Sequence, residues 1–207
     1  MTHSSPRVVS IVLFAGFELL DVFGPVELLS RFPQDISVVM VGPGAGAVRS
    51  SQGTEVIATV GCDDAPAPDI VMVPGGLGTR ALAADKTFLE WLRRWASDAD
   101  LVTSVCTGSA LLAAAGLLDG YRATSNKRAF AWASGHGSDV EWVASARWVH
   151  DRDRWTSSGV AAGMDMTAAL IGELFGPVQA QRAAQEIELE LHTDATWDPF
   201  AAANDLV

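Results

Sequence analysis

A β-branched run that ends in a cysteine and passes through small residues into a helix-forming segment constrains this chain most. The run spans Leu101 to Val105, the cysteine is Cys106, and an Ala/Leu-rich segment follows Gly108. This order of strand, cysteine, tight turn and helix places a thiol at a helix N-terminus, where unpaired N–H groups favour an anion and lower the pKa of a thiol. A free cysteine also serves as a small buried hydrophobe. This stretch alone therefore leaves a reactive and a structural cysteine both open.

Short strands alternate with helical segments along most of the chain. The strands are rich in β-branched residues, as expected of a parallel sheet covered on both faces, and are predicted over residues 8–14, 36–41, 69–73, 101–105, 142–150 and 155–158. The earliest helix has Pro25 in its first turn, and helices are predicted over residues 26–31, 77–84, 88–97, 107–115, 129–134, 160–175 and 178–191. A hairpin is predicted over residues 48–60. The pattern predicts an α/β fold with a doubly wound, mostly parallel, flavodoxin-like sheet flanked by helices.

No linker or repeat divides the chain, which predicts one domain over residues 7–192 and a C-terminal tail over residues 193–207. A formal net charge of −11 at pH 7 argues against nucleic-acid or anionic-membrane partners.

The two cysteines, Cys62 and Cys106, are far apart and predict neither a zinc site nor a redox pair. With no apolar run near the roughly 20 residues of a membrane span and no signal peptide, a cytoplasmic location is expected.

Polar and small residues follow the predicted strands at a common edge of the sheet. The segments are residues 14–21, Pro74-Gly75-Gly76 and Cys106-Thr107. In an open parallel sheet the ligand site lies beyond the carboxyl ends of the strands, so these segments are expected to meet in one crevice. Their convergence favours the interpretation of Cys106 as a reactive thiol.

Several motifs resemble the ThiJ/PfpI superfamily, whose sheet and nucleophile elbow are shared with class I glutamine amidotransferases. In chain order they are Leu20-Asp21-Val22-Phe23-Gly24-Pro25, Val73-Pro74-Gly75-Gly76, Thr103-Ser104-Val105-Cys106-Thr107-Gly108-Ser109 with Ala114-Ala115-Gly116-Leu117-Leu118, and Ser157-Ser158-Gly159-Val160-Ala161-Ala162-Gly163-Met164-Asp165. The Leu-Asp-x-x-Gly-Pro and Ser-Val-Cys-Thr-Gly-Ser forms are most similar to the isonitrile (isocyanide) hydratase branch.

The resemblance implies a role for each matching residue. Cys106 becomes the nucleophile of the elbow, and Asp21 becomes the carboxylate that approaches the thiol and moves protons. Thr107 contributes its backbone N–H, with its hydroxyl beside the substrate. The Gly75 and Gly76 N–H groups form the rest of an anion-stabilising pocket, which glycines permit because backbone can approach the developing charge closely. The plainer alternatives are a helix N-cap for Asp21 and a tight turn at Gly75-Gly76.

The pattern departs from other branches at two positions. Relatives that resemble proteases carry His directly after the cysteine, where this chain has Thr107. Glyoxalase-like members, and several hydratase-like ones, carry His where this chain has Asn126, which hydrogen-bonds but does not titrate near neutral pH. Both differences disfavour protease and glyoxalase activity, and Asn126 is expected at the substrate. Lys127 and Arg128 either bring positive charge towards the pocket or lie at the surface, which is the plainer expectation. Val160 is expected to contact the substrate, in a pocket whose other walls are Phe17, Phe130 and Trp132.

Two polar residues near the end of the predicted domain are expected to be structural. Asp165 lies inside an apolar helix and predicts a buried polar contact rather than a catalytic group. His192 is expected to end the last long helix, where a cation suits the dipole.

The resemblance implies an enzyme: a cysteine-dependent hydratase or lyase that acts on a small-molecule electrophile. An isonitrile would be hydrated to an N-substituted formamide through a Cys106 thioimidate, with no metal or cofactor required. The alternative is a non-catalytic, redox-responsive or ligand-binding member in which Cys106 is oxidised reversibly. The resemblance also implies a homodimer, with residues 19–29 as the expected contact.

Overall fold

A central seven-stranded sheet organises the molecule, which a computed structural model describes over residues 5–207. All the strands together are β1 (Arg7–Val12), β2 (Ile36–Gly42), β3 (Gly46–Arg49), β4 (Glu55–Ala58), β5 (Val60–Gly61), β6 (Ile70–Val73), β7 (Leu101–Ser104), β8 (Tyr121–Ala123), β9 (Val140–Trp142), β10 (Trp148–Asp151) and β11 (Arg154–Ser157). The main sheet has the order β10-β11-β7-β6-β1-β2-β5. Only β10 pairs antiparallel to its neighbour, β11. The predicted α/β class is confirmed.

Helices cover both faces of this sheet. They are α1 (Leu19–Leu29), α2 (Thr79–Leu82), α3 (Lys86–Ala96), α4 (Gly108–Ala114), α5 (Phe130–Ala133), α6 (Ala162–Phe175), α7 (Pro177–Glu186) and α8 (Pro199–Ala202). Helix α6 packs against α1 and α7, while α4 packs against α2 and α3. Strands β1, β6 and β7 lie between these layers and are almost wholly buried, which explains their uninterrupted apolar sequences.

The strand order reverses beside β1, and this reversal determines where a site can form. From β1 the chain proceeds through α1 to β2 on one side, whereas from β6 it proceeds through α2 and α3 to β7 on the other. The connections diverge at the carboxyl ends of β1 and β6 and open a crevice there. Asp21, Gly75 and Cys106 follow the carboxyl ends of β1, β6 and β7, as the sequence predicted.

Helix α1 begins earlier than predicted. The sequence placed its start at residue 26 with Pro25 in the first turn, but the helix starts at Leu19 and contains Pro25 in its interior. Proline has no N–H for the helical bond to the carbonyl of Asp21, which normally breaks a helix. Burial of Val22, Leu28 and Leu29 against the core offsets that loss, so tertiary packing overrides the local signal.

The region after the elbow also differs from the prediction. The single strand expected over residues 142–150 is two strands, β9 and β10, and β8 was missed altogether. Strands β8 and β9 form their own parallel pair, whose partners come from separate parts of the sequence, so local alternation carried little signal. The last long helix ends at Glu186, and His192 therefore lies beyond it instead of at its terminus.

The segment after residue 192 packs against the rest of the molecule. The Arg147 N–H donates to the Ala195 carbonyl at 2.9 Å, and the Asp198 N–H donates to the Ser145 carbonyl at 2.8 Å. The Asp198 side chain is buried. Within residues 5–207, no helix has the length and apolar character needed to cross a membrane. The boundary at residue 192 and the cytoplasmic location stay predictions.

Candidate active site

Cys106 occupies a sharp turn between β7 and α4. Its φ of 59° lies in the left-handed region that non-glycine residues rarely adopt, and such strain is typical of functional positions. The Cys106 N–H donates to the carbonyls of Ser157 and Ser158 at 3.2 and 3.0 Å, which holds the turn against the end of β11. A Cβ at Gly108 would overlap the Val73 carbonyl oxygen, so the turn needs glycine there. The predicted nucleophile elbow is present.

Hydrogen-bond donors surround the sulfur of Cys106, which is only 6% exposed. The backbone N–H groups of Thr107 and Val160 and the side-chain amide of Asn126 all donate to it. Val160 has a φ of 31°, a conformation that a β-branched residue adopts only under constraint, and this conformation directs its N–H at the thiol. Three elements distant in sequence thus provide donors to one sulfur atom.

Asp21 lies beside the Cys106 thiol, in the first turn of α1, and is fully buried. Its Oδ2 accepts the Gly75 N–H at 2.8 Å, while Oδ1 is buried without a hydrogen-bond donor among the described residues. Burial, reinforced by the nearby charge of Glu18, raises the pKa of Asp21 to about 7. The N-cap of α1 is Glu18, so the alternative interpretation of Asp21 as a helix cap is wrong.

The thiol does not have the lowered pKa that the sequence predicted. Burial, followed by the negative charge of Asp21, raises the pKa of Cys106 to about 12, and the surrounding donors offset only part of this shift. Helix α4 is short, so its dipole cannot balance the removal of the sulfur from water. The Cys106–Asp21 pair therefore keeps its proton near neutral pH instead of presenting a free thiolate.

The glycine pair after β6 acts differently from the prediction. The Gly75 N–H is bonded to Asp21, and the Gly76 N–H donates to the Thr107 hydroxyl at 3.1 Å, so neither points at the thiol. The expectation that they line an anion pocket is corrected: they orient the side chains that flank the sulfur. A Cβ at Gly75 would lie 2.6 Å from the Thr107 nitrogen, which shows how closely the backbones approach. The Thr107 hydroxyl also contacts that of Thr79 at 3.2 Å.

A hydrogen bond from the backbone of the following turn holds the Asn126 side chain in one orientation. Its Oδ1 accepts the Ala129 N–H at 3.1 Å, and this contact turns the amide nitrogen toward Cys106. The preceding Ser125 hydroxyl donates to the Cys106 carbonyl at 3.0 Å. Ser125 and Asn126 thus both hydrogen-bond to Cys106, one to its carbonyl and one to its sulfur. Such support is expected for a residue that contacts the reacting atom.

Lys127, expected at the surface, is buried. Its Nζ donates to the Thr124 hydroxyl and to the Ala146 carbonyl at 2.8 and 2.5 Å. Burial lowers the pKa of Lys127 to about 8, and the charge of Asp198 opposes that shift. Arg128 is exposed as predicted. Sequence reasoning missed Lys127 because its counter-charge comes from the distant C-terminal segment.

A buried ionic network accompanies Lys127. Arg147 Nε donates to Asp165 Oδ2 at 2.7 Å, and Arg147 Nη1 lies 4.0 Å from Asp198. Asp165 Oδ1 accepts the His192 N–H at 3.0 Å. The predicted structural role of Asp165 is therefore confirmed. The network joins the C-terminal segment to α6 and to the residue that precedes β10.

The predicted pocket walls divide into two groups. Phe17 is fully buried within the main core and belongs to the scaffold. Trp132 is half-buried and carries the guanidinium of Arg80 at 3.4 Å from its ring centre. The charge of Arg80 interacts with Cys106, so Arg80 belongs to this site. The sequence analysis did not select Arg80. The position of Arg80 shortly after the Gly75-Gly76 turn was the sequence feature that could have indicated its place at the site.

The side chains that could ligate a metal are dispersed in the described part of the chain. Over residues 5–207, no group of three or more His, Cys, Asp or Glu side chains is arranged to hold a metal ion. Cys62 and Cys106 are both free thiols.

Comparisons with known proteins agree with this geometry. Residues 7–173 match the DJ-1/PfpI family. An isonitrile hydratase from Pseudomonas putida is 36% identical over 185 residues, which cover 87% of this chain and 77% of that protein. The HTH-type transcriptional regulator GbdR from Pseudomonas aeruginosa is 36% identical over 84% of this chain, which spans about half (48%) of that regulator. The crystal structure of a ThiJ/PfpI family protein from Pseudomonas syringae superposes with a TM-score of 0.79 at 29% identity, covering 91% of this chain and 77% of that one.

Proposed function

Since this chain belongs to the DJ-1/PfpI family, we propose that it is a cysteine-dependent hydratase that converts an isonitrile into an N-substituted formamide. The observation that carries the proposal is the buried Cys106–Asp21 pair, which retains a proton near neutral pH beside a ring of donors. Addition to an isonitrile needs a nucleophile and a proton at the same carbon, and this pair supplies both. An uncharged isonitrile also enters a desolvated site at little electrostatic cost.

The first step adds Cys106 across the terminal carbon of the isonitrile, R–N≡C. A bond forms between Sγ and that carbon while the carbon takes up the proton held by the Cys106–Asp21 pair, which gives the thioimidate R–N=CH–S–Cys106. Asp21 is suited to manage this proton because its pKa of about 7 matches the working pH of a general acid or base. Its unpartnered Oδ1 provides a position from which the proton is exchanged.

The second step adds water to the thioimidate carbon. Asp21, now ionised, takes a proton from the water as the C–O bond forms and gives that proton to the nitrogen, which leaves R–NH–CH(OH)–S–Cys106. The C–S bond then breaks, the hydroxyl proton passes through Asp21 to the sulfur of Cys106, and the formamide R–NH–CHO leaves. The sum is R–NC + H₂O → R–NHCHO. The N–H groups of Thr107 and Val160 and the Asn126 amide stabilise negative charge on the departing sulfur.

A ligand-binding module without turnover is the second candidate. The similarity to a transcriptional regulator supports it, because that protein contains a related segment alongside further sequence. The raised pKa of Cys106 argues against the redox-responsive version, since oxidation of cysteine follows its thiolate character. Binding of a small molecule over the thiol, with no reaction, is the version that fits this site.

Formation of the formamide separates the two candidates. The purified protein is incubated with an alkyl isonitrile and the formamide is followed by NMR. We expect turnover by the wild type, none by Cys106→Ala, and retention of turnover by Cys62→Ala, because Cys62 lies outside this site. Absence of turnover by the wild type, or turnover that survives Cys106→Ala, would sink the hydratase proposal.

A homodimer with α1 in its contact remains part of the proposal. Leu20 and Phe23 are each 41% exposed on this helix, which supports an apolar contact there. Light scattering of the wild type and of Phe23→Glu tests it: we expect a dimer that the variant weakens. A wild-type monomer contradicts it.

A further inference from the structure

Arg80 presents an unpaired cation at the rim of the candidate site. Within residues 5–207 its guanidinium makes no hydrogen bond and no ion pair, and its recorded contact is the stack on Trp132 at 3.4 Å. Several other arginines pair with carboxylates, as Arg31 does with Glu27. An exposed arginine ordinarily keeps considerable rotamer freedom. Arg80 is instead held in place while its N–H donors remain open.

The stack on Trp132 determines what Arg80 can bind. The guanidinium carbon of Arg80 lies over the face of the indole ring, a cation–π contact that uses no N–H hydrogen bond. Trp132 is itself packed edge-on against His136, with the ring centres 4.7 Å apart. The guanidinium is therefore positioned over Trp132 before any ligand arrives. The planar fork of a guanidinium matches the two oxygens of a carboxylate.

The segments that carry this stack also hold the reacting atom. Arg80 follows Thr79, whose hydroxyl contacts the hydroxyl of Thr107, the residue next to the nucleophile. Trp132 lies in α5, shortly after Asn126, whose amide donates to the sulfur. Burial lowers the pKa of Arg80, and the charge available at Cys106 opposes that shift, so the two groups interact. Arg80 is therefore close to the thiol yet open to solvent.

We propose that Arg80 is a specificity-determining residue that binds a carboxylate on the substrate, at the end remote from the isonitrile carbon. This inference rests on the proposed hydratase function and names its substrate class: an isonitrile that bears a carboxylate. The surroundings make such a cation necessary, because the chain carries a net charge of −11 and the Glu18 carboxylate lies near Asp21. Without Arg80 the site would repel an anionic substrate.

A matched pair of substrates tests the role of Arg80. Kinetics are measured with 4-isocyanobenzoate and its uncharged methyl ester for the wild type, Arg80→Gln, Arg80→Lys and Arg128→Gln. We expect the wild type to prefer the carboxylate, and Arg80→Gln to lower the carboxylate-to-ester ratio of kcat/KM about 10-fold to 100-fold, mainly through KM. Arg80→Lys should recover part of the ratio, because it keeps the charge and loses the fork. Arg128→Gln removes an exposed arginine nearby and should keep the ratio.

The carboxylate-to-ester ratio of kcat/KM separates substrate recognition from the chemical step. A change in the pKa of the thiol would affect both substrates equally and leave the ratio constant. A wild type without preference for the carboxylate, or an Arg80→Gln variant with an unchanged ratio, would overturn the inference.

Calorimetry distinguishes failure of this inference from failure of the hydratase proposal. Cys106→Ala protein, with and without Arg80→Gln, is titrated with 4-formamidobenzoate, which needs no turnover. We expect Arg80→Gln to weaken binding about 10-fold or more. Equal binding by both proteins would contradict the role of Arg80 whether or not any isonitrile is hydrated.

Discussion

Burial, reinforced by the negative charge of the adjacent Asp21, raises the pKa of the Cys106 thiol, although a reactive cysteine is commonly expected to have a low pKa. Burial is the larger cause, and neither the neutral N–H donors at the sulfur nor the charge of the exposed Arg80 balances it. The pair consequently behaves as one protonated unit. This arrangement suits a reaction that adds a sulfur and a proton to the same substrate atom.

Removal of the Asp21 charge should increase the reactivity of Cys106. In Asp21→Asn the thiol loses a neighbouring negative charge, so its pKa falls and its alkylation by iodoacetamide near pH 8 becomes about 10-fold faster per unit of pKa change. Mass spectrometry of the Cys106 peptide measures the rate. Asp63→Asn is the matched control, because Asp63 raises the pKa of Cys62 instead and should accelerate only that thiol. Alkylation of Cys106 at an equal or slower rate in Asp21→Asn would contradict the assignment.

The same substitution should change how stability depends on pH. The folded protein holds the Asp21 proton up to about pH 7, whereas an unfolded chain loses it near the ordinary value of 3.8. The group therefore destabilises the fold progressively as pH rises through that window. At pH 8 the effect is on the order of a few kcal/mol.

Urea unfolding at pH 5 and pH 8 measures this effect. Asn keeps an oxygen for the Gly75 N–H and cannot ionise, so Asp21→Asn should gain stability relative to the wild type as pH rises. Asp98→Asn, at an exposed position, controls for the loss of one negative charge. A constant difference between Asp21→Asn and the wild type at both pH values counts against a buried, proton-retaining carboxyl.

Asn126 should contribute through its amide nitrogen. Asn126→Ala removes a donor to the sulfur, and loss of one such donor typically lowers turnover about 100-fold. It also removes the cap on the Ala129 N–H, which costs about 1 kcal/mol. Asn126→Asp separates the two effects, because a carboxylate retains the cap and places a negative charge beside the thiol. Steady-state kinetics of a stably folded Asn126→Asp should show the larger loss, and wild-type turnover there would refute the assignment.

The buried ionic network should be far more important for stability than the surface pairs. Asp165→Ala removes the nearer of the two carboxylates beside buried Arg147, leaving Asp198 at 4.0 Å, and should lower the free energy of unfolding by about 3–5 kcal/mol. Glu186→Ala removes a carboxylate from the exposed pair with Arg182 and should cost less than about 1 kcal/mol. Denaturant unfolding compares the two variants. Similar losses in both would show that burial does not govern the strength of these pairs.

Several local features were predictable because they depend on neighbours in the chain. The β-branched run before Cys106 and the small residues after it predict a strand, a sharp turn and a helix, and those elements are present. Helix α1 was placed too late because Pro25 is a strong local stop signal, while the packing of Val22 and Leu28 that overrides it involves distant residues. Lys127 was expected at the surface and is buried, because the charge of Asp198 that accompanies it comes from a distant part of the sequence.

By itself, the sequence determined the α/β class, the elbow at Cys106 and the residues that meet there, because strand and turn propensities act over a few residues and parallel strands bring their carboxyl ends together. Only the tertiary structure decided the chemistry of those residues. It directed the Gly75 N–H at Asp21 instead of the thiol, raised the pKa of Cys106 rather than lowering it, and placed Arg80 at the rim. Each outcome depends on desolvation and on groups that folding alone brings within reach.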